Sequence, residues 1–523
     1  MRWIIALPAA LACAQPLAAQ VGSRLWRPDE RAVLAGFGFV TAVAASQDML
    51  YVASTGGLGV HERPFGRWKP PVTHLDGYPR EPVGVALADP LDRSVWLGTT
   101  TRLVNYSPTM LRFESVMVPG GVVDLMFDRD NTFRGIYVLS PTGWWLVARG
   151  SLMLTQPPSL PPPRQQLRPI SVDQALDRAP YLVSGASLLL TDELRRSFRY
   201  TAAALAWDTE DLYMGTNGLG LLAVDGLTTN VRPMPFGLLA TSVGAVVATR
   251  DGVWAATGPM APRTGFTFVG RNLQEYRFDE GRGGGYHFAF VTDLLERGQA
   301  LWAATDDGVL RVVPGERPEP MLTGFGLGAE YGYALAQTST GVWVGTERGL
   351  AFVSDYGEVV FVDERVREPI YALAASGDTV WVGGRRGLGV TWEGSDAIYV
   401  PRHAEDEILL SDPIIALALT GDTLVAATPD RVLWRAPGEE WVVERVLSGD
   451  LGEVTALAGD EGGVWVGGVR GVAYFRPRLH EFRVFSAPGD LPGPVRDIAV
   501  DDSYVWVATP GGMVRFQKRA LKP

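Results

Sequence analysis

The residues that could perform chemistry are few and scattered. The five histidines are His61, His74, His287, His403 and His480. None lies in an HExxH arrangement or at a paired spacing suited to zinc. His287 stands apart because it follows the glycine-rich stretch Gly281-Arg282-Gly283-Gly284-Gly285 and sits beside Tyr286. Arg282 and His287 could line a cleft and contact a polar ligand; a linker with a solvated imidazole is the plainer account. Carboxylates cluster at Asp128-Arg129-Asp130-Asn131, Asp306-Asp307 and Asp501-Asp502. Calcium would need several further oxygens from the same loop, and all three sets fall where hairpin turns are expected, so no metal is assigned. Gly56-Gly57-Leu58-Gly59 and Asn217-Gly218-Leu219-Gly220 open no helix and are not phosphate loops. Four arginines, Arg348, Arg385, Arg386 and Arg470, occupy one repeated hairpin position. Gathered on one face they would offer a basic patch to an acidic ligand, against the plainer reading of solvated turn residues. No catalytic set and no cofactor is assigned.

The elements that must position these residues follow from a repeat. Val342-Trp343-Val344-Gly345-Thr346, Val380-Trp381-Val382-Gly383-Gly384 and Val464-Trp465-Val466-Gly467-Gly468 are its clearest copies, each followed by Gly and an apolar residue. Twelve anchors can be aligned: Tyr51, Trp96, Tyr137, Tyr181, Tyr213, Trp254, Trp302, Trp343, Trp381, Val425, Trp465 and Trp506. Their mean spacing is about 41 residues, the period of a four-stranded propeller blade. Within one copy, Ile370 to Ala374 reads as an inner strand covered on both sides, Ser376-Gly377-Asp378 as a turn and Thr379 to Gly383 as a second strand. The weakest copy lies between Arg149 and Arg199, where a proline-rich run (Pro157 to Pro163) cannot pair inside a sheet. Ser171 to Arg178 looks helical there, and Tyr181 is read as a degenerate blade.

The predicted fold is therefore all-β: a propeller of about twelve four-stranded blades in two six-bladed rings. A seven-plus-five split or one large ring is the other solution. The expected divisions are 20–39 as an N-terminal strand fastening the last blade, 40–275 as a first propeller and 286–523 as a second. Sixteen Trp invite a sugar-stacking role, but those at the repeated position belong to the core; Trp68, between Arg67 and Lys69, is the one expected to be exposed.

Composition narrows the function. Hydrophobic residues make up 46% and charged residues 20% of 523, enough for a buried core. A net charge of -11 without a basic cluster argues against nucleic acid. Residues 1–19 read as an export signal: Arg2, an apolar run from Trp3 to Ala12, then Leu17-Ala18-Ala19 as a cleavage site. That run is too short to span a bilayer, and no later segment would. Cleavage would remove Cys13, the sole cysteine; the other reading of Leu11-Ala12-Cys13 is a lipid anchor.

The phrase Val-x-x-Leu-Ala, a turn, then Val-Trp-Val-Gly-Thr-x-x-Gly-Leu resembles the two-component-regulator propeller repeat. Gly324-Phe325-Gly326-Leu327 and Asp490-Leu491-Pro492-Gly493 fit its linkers. The resemblance implies a periplasmic sensory propeller of the kind carried by hybrid histidine kinases, often reading carbohydrate-derived signals. No kinase module, immunoglobulin-like connector or membrane-spanning helix accompanies the repeats in this sequence, so direct signalling is not expected. The sialidase box is only approached by Ser376 to Trp381, with short spacing, and the quinoprotein docking motif is absent. The expectation is a non-enzymatic bacterial propeller, periplasmic, secreted or associated with the outer membrane, binding a protein or glycan through its blade loops. The alternative is a polysaccharide lyase or hydrolase with residues converging in the channel.

Overall fold

The structure is a computed structural model that describes residues 26–183, 189–206, 209–281, 285–321, 331–362, 366–399, 412–444, 449, 451–486 and 489–521. The export signal, Cys13, Ser23 to Leu25, Arg282, Gly324 to Leu327 and His403 lie outside them.

The described residues form eleven antiparallel sheets, eight of them four-stranded. Their inner strands are, in order, Val40–Ala45, Val83–Ala88, Asp124–Asp128, Ser197–Leu205, Val243–Ala248, Val291–Arg297, Gly332–Gln337, Ile370–Ser376, Ala416–Thr420, Val454–Asp460 and Asp497–Val500. Each sheet is numbered here by that order. The outermost strand of the eleventh sheet is Arg31–Leu34, paired from Arg31 opposite Phe516 to Leu34 opposite Met513. It covers an edge that would otherwise expose free N–H and C=O groups.

Two local devices explain the repeated phrase. After the second strand, Thr346 Oγ1 donates to the Gly349 carbonyl (2.9 Å) and accepts from the Arg348 N–H (3.1 Å). Thr305 with Gly308 and Thr509 with Gly512 repeat this clasp. The glycine is required because φ there is positive, +121° at Gly349 and +141° at Gly512. The second device lets an indole be buried without orphaning its N–H. Trp465 donates to Asp460 (3.2 Å), Trp506 to Asp501 (3.0 Å) and Trp343 to Thr338 (3.1 Å), always five residues earlier.

Neighbouring sheets are stitched through their inner strands. Thr292 Oγ1 donates to the Gly332 carbonyl (2.6 Å) and Thr455 Oγ1 to the Val495 carbonyl (2.8 Å), the first residue of the next repeat each time. Arg496 makes the same bond to the Val243 carbonyl (3.2 Å), which joins the eleventh sheet to the fifth. Inner strands of sheets five to eleven contact one another in succession, and the eleventh returns to the fifth. In the remaining four sheets, Val40–Ala45 contacts both Val83–Ala88 and Ser197–Leu205, with Thr201 Oγ1 bonded to the Val40 carbonyl at 2.6 Å.

Three expectations differ from this arrangement. A division between 275 and 286 would separate Val243–Ala248 from Val291–Arg297, yet these strands pack together. Tyr181 anchors no blade: it lies in the 3₁₀ turn Pro180–Leu182, half exposed at 49%. Pro180 lacks the N–H a strand would need, and the preceding helix Val172–Arg178 is fixed by a capping box between Ser171 and Gln174. Trp68 is not a surface residue either; it is 6% exposed and stacked on Phe236 with ring centroids 4.2 Å apart.

Candidate functional site

The hairpin that follows each second strand is hydrogen-bonded to the residue just before its own inner strand. Glu347 N–H donates to the Tyr331 carbonyl (3.1 Å), Arg385 N–H to Pro369 (3.2 Å), Asp306 N–H to Phe290 (3.4 Å) and Val469 N–H to Glu453 (3.0 Å). The predicted residues Arg348, Arg385, Arg386 and Arg470 therefore lie at the same end of their sheets, the end at which inner strands begin. His287 sits at that end as well, exposed, three residues before Phe290. Arg282 is among the residues not described.

The arginines do not make a uniformly basic patch. Arg386 is 2.6 Å from Glu368 and Arg348 is 3.8 Å from Glu347, both on exposed side chains where such pairs add little stability. Arg470 reaches the Gly449 carbonyl at 3.4 Å and borders a shallow depression of about 790 Å³. Across that depression stands Arg431, paired with Asp412 and Asp430 at 3.3 Å each. Arg385 is exposed and has no carboxylate partner among the described residues. Positive and negative charges thus alternate along the face.

Sequence reading missed the aromatic component of this face. Phe290, Tyr331, Tyr333 and Tyr371 form a continuous row across sheets six to eight, with centroid separations of 6.3, 6.0 and 5.4 Å. All four are partly exposed. Tyr333 and Tyr371 take the inner-strand position held by Thr292 and Thr455 elsewhere; an aromatic there cannot make the stitching bond and projects a ring instead. That exchange of Thr for Tyr was the readable signal. Burial, then Tyr371 and Glu347, raise the Tyr333 phenol above its ordinary pKa.

One position further along the inner strands, most sheets carry Ala, as at Ala334, Ala372 and Ala456, but three carry Asp: Asp124, Asp293 and Asp497. Asp293 accepts from the Leu294 N–H (2.8 Å) and from Leu335 N–H of the next sheet (2.7 Å). Asp497 accepts from Ile498 N–H (2.8 Å) and from Val246 N–H of the fifth sheet (2.7 Å). Each keeps a sliver of surface while protein encloses it on most sides. Desolvation first, and the charge of Asp497 second, push Asp293 up to about 8; desolvation lifts Asp497 to about 6. These oxygens are committed to backbone donors, and no histidine ring is bonded to either among the described residues. No group of three or more metal-ligating side chains gathers among the described residues.

No protein-family model matches the chain, and no curated protein matches it either. Among solved structures, PorZ, a bacterial surface component of the type-IX secretion system of Porphyromonas gingivalis, aligns at 13% identity. That alignment covers 95% of this chain and 73% of the other at TM-score 0.45. The extracellular domain of BT4673 from B. thetaiotaomicron aligns at 13% identity over 91% of this chain and 69% of its own, TM-score 0.43. Virginiamycin B lyase from Staphylococcus aureus aligns at 11% identity over 53% of this chain and 94% of its own, TM-score 0.43.

Proposed function

We propose that this chain is an exported, non-enzymatic β-propeller that binds a glycan at the end of sheets five to eleven where the inner strands begin. In this reading those seven sheets are a seven-bladed ring, with Arg31–Leu34 as the outer strand of its last blade, and sheets one to four are a smaller second body. The observation that carries it is the row Phe290, Tyr331, Tyr333 and Tyr371, four partly exposed rings in successive contact. Uncharged aromatic faces stack on the C–H faces of sugar rings, and amphipathic tyrosines also offer hydroxyls to them. The alternating Arg and Glu side chains around the row supply directional donors and acceptors for sugar hydroxyls rather than a field for a polyanion.

A glycan array followed by thermal-shift titration of the protein from Gln20 tests this. Tyr333→Ala with Tyr371→Ala is expected to weaken the best oligosaccharide by about tenfold or more, while the folded protein keeps its melting temperature within a few degrees. An array without hits, or a hit indifferent to both substitutions, would turn the assignment toward a protein ligand at the same face. The enzymatic alternative needs a channel carboxylate free to move a proton. Asp293 and Asp497 each already hold two backbone donors, which is why the binding reading is preferred.

A further inference from the structure

A second cleft, far in sequence from the tyrosine row, opens where the first, second and eleventh sheets meet. It encloses about 1020 Å³. Its walls come from the outer strand Arg67–Trp68, the 3₁₀ turn His74–Asp76, the turn at Pro108 and the strand carrying Arg31. Arg31, which is 5% exposed, ties its own strand to the His74–Asp76 turn and to Gly489. Its guanidinium donates to Asp76 Oδ1 (2.9 Å), the Leu75 carbonyl (3.2 Å) and the Gly489 carbonyl (3.4 Å).

The charge balance of this cleft is opposite to that of the whole chain. Arg31, Arg67, Lys69 and Arg80 line it against only two carboxylates, Glu62 and Asp76. Both carboxylates are already spent. Glu62 is bound by Arg67 (2.6 Å) and Lys69 (3.2 Å), and these bonds hold its pKa low although burial alone would raise it. Asp76 is bound by Arg31 and by the Thr73 N–H (3.0 Å) and hydroxyl (2.9 Å). Arg80 has no ion-pair partner among the described residues, and it faces His74 across the opening. The His74 pKa is lowered by partial burial first and by Arg80 second, against the opposing charge of Asp76. The rest of the accessible wall is mostly apolar, with Pro28, Pro70, Val72, Leu75 and Leu111, while Trp68, Pro71, Tyr106 and Pro108 lie buried behind it.

We propose that this cleft is an anion-binding site for a small molecule that carries a carboxylate or phosphate on a ring-shaped body. The anionic group sits against Arg80 and Lys69 with His74 as a hydrogen-bond donor, and the body lies along the apolar wall of Pro28, Pro70, Val72 and Leu111. A protein of net charge -11 repels anions in general, so a net positive, half-apolar cavity on it selects for ligands that combine both features. Charge-assisted bonds in a partly enclosed cleft are the stronger class.

Isothermal titration calorimetry with glucose 6-phosphate, glucuronate and glucose tests the assignment. One of the two anions is expected to bind and glucose is not; which anion binds separates phosphate from carboxylate recognition. Arg80→Gln is expected to weaken binding by about tenfold or more, and raising the salt is expected to weaken it further. Because Arg80 is exposed, its replacement leaves the fold intact, as circular dichroism can verify. Lys69→Gln provides a second, independent loss. The Tyr333→Ala, Tyr371→Ala protein is expected to bind the anion unchanged, which keeps this site separable from the glycan face. Heat from neither anion, equal binding of glucose, or an Arg80→Gln protein that binds like the parent would each overturn it.

Discussion

Trp506→Ala is expected to lower the stability of the protein by about 3–5 kcal/mol, seen as a shift of the urea midpoint. Trp506 is fully buried in the cluster where the first, fourth, fifth and eleventh sheets share one core, among Val43, Tyr213, Val246 and Val253. Removing the indole leaves a cavity in that core between strands fixed by their own ladders, so the site collapses only in part. It also strips the Asp501 carboxylate of the 3.0 Å indole bond, leaving that acceptor to find water. Trp392→Ala provides the contrast. Trp392 is 43% exposed and stacked only on Tyr399, with centroids 4.8 Å apart, and its loss is expected to cost about 1 kcal/mol or less. Tyr181→Ala, at a position aligned with the Trp anchors but lying in a turn, is expected to cost as little. Equal losses for Trp506 and Tyr181 would contradict the placement of the repeat anchor at the centre of each sheet junction.

That contrast also marks what the chain discloses in one dimension. The period, the Thr-x-x-Gly clasp and the buried Trp are local devices: every atom they need lies within about ten residues, so each copy repeats them in plain view. Trp68 could have been placed by the same logic. Side chains alternate along a strand, so the charges of Arg67 and Lys69 pointing outward require Trp68 to point inward. Tyr181 was misread because its neighbours copy the letters of an anchor while Pro180 and the Ser171 cap impose a turn. Ring order is of another kind. The bonds from Arg496 to Val243 and from Asp497 to Val246 span some 250 residues, and nothing in either segment names its partner.

The candidate sites follow the same division. Arg348, Arg385, Arg386 and Arg470 could be placed on one face because a hairpin position is a local property. Their partners could not: Glu368, which pairs with Arg386, sits in a linker whose path depends on how the sheets associate. The tyrosine row needs both kinds of knowledge. Each Tyr-for-Thr exchange is visible alone, but the row exists only because sheets six, seven and eight stand side by side. The anion cleft was wholly hidden, since Arg31, Arg80 and Pro108 meet only after the strand Arg31–Leu34 joins the eleventh sheet.

Stability is expected to fall by about 2 kcal/mol between pH 6.5 and pH 8.5 because of Asp293 and Asp497. Both carboxyls have folded pKa values above the ordinary Asp value of 3.8, Asp293 at about 8 and Asp497 at about 6. The folded state therefore holds protons that the unfolded chain has released. A group shifted in that direction contributes fully below its unfolded pKa, and the contribution is lost as pH rises through the folded value. His61, buried against Trp68 and lowered to about 4, and His74, also lowered, add stability as pH rises through their unfolded value of 6.5, which offsets part of the decline at the lower end of this window. Asp293→Ala, which installs the residue found at this position in sheets seven, eight and ten, is expected to flatten the decline above pH 6.5. The variant should be less stable than the parent at pH 6.5, having lost the bond to Leu335 N–H, and close to it at pH 8.5, where the parent carries two charges around one axis. Chemical denaturation at the two pH values measures both slopes. A variant that declines as steeply as the parent would show that Asp293 does not hold its proton in the folded protein above pH 6.5.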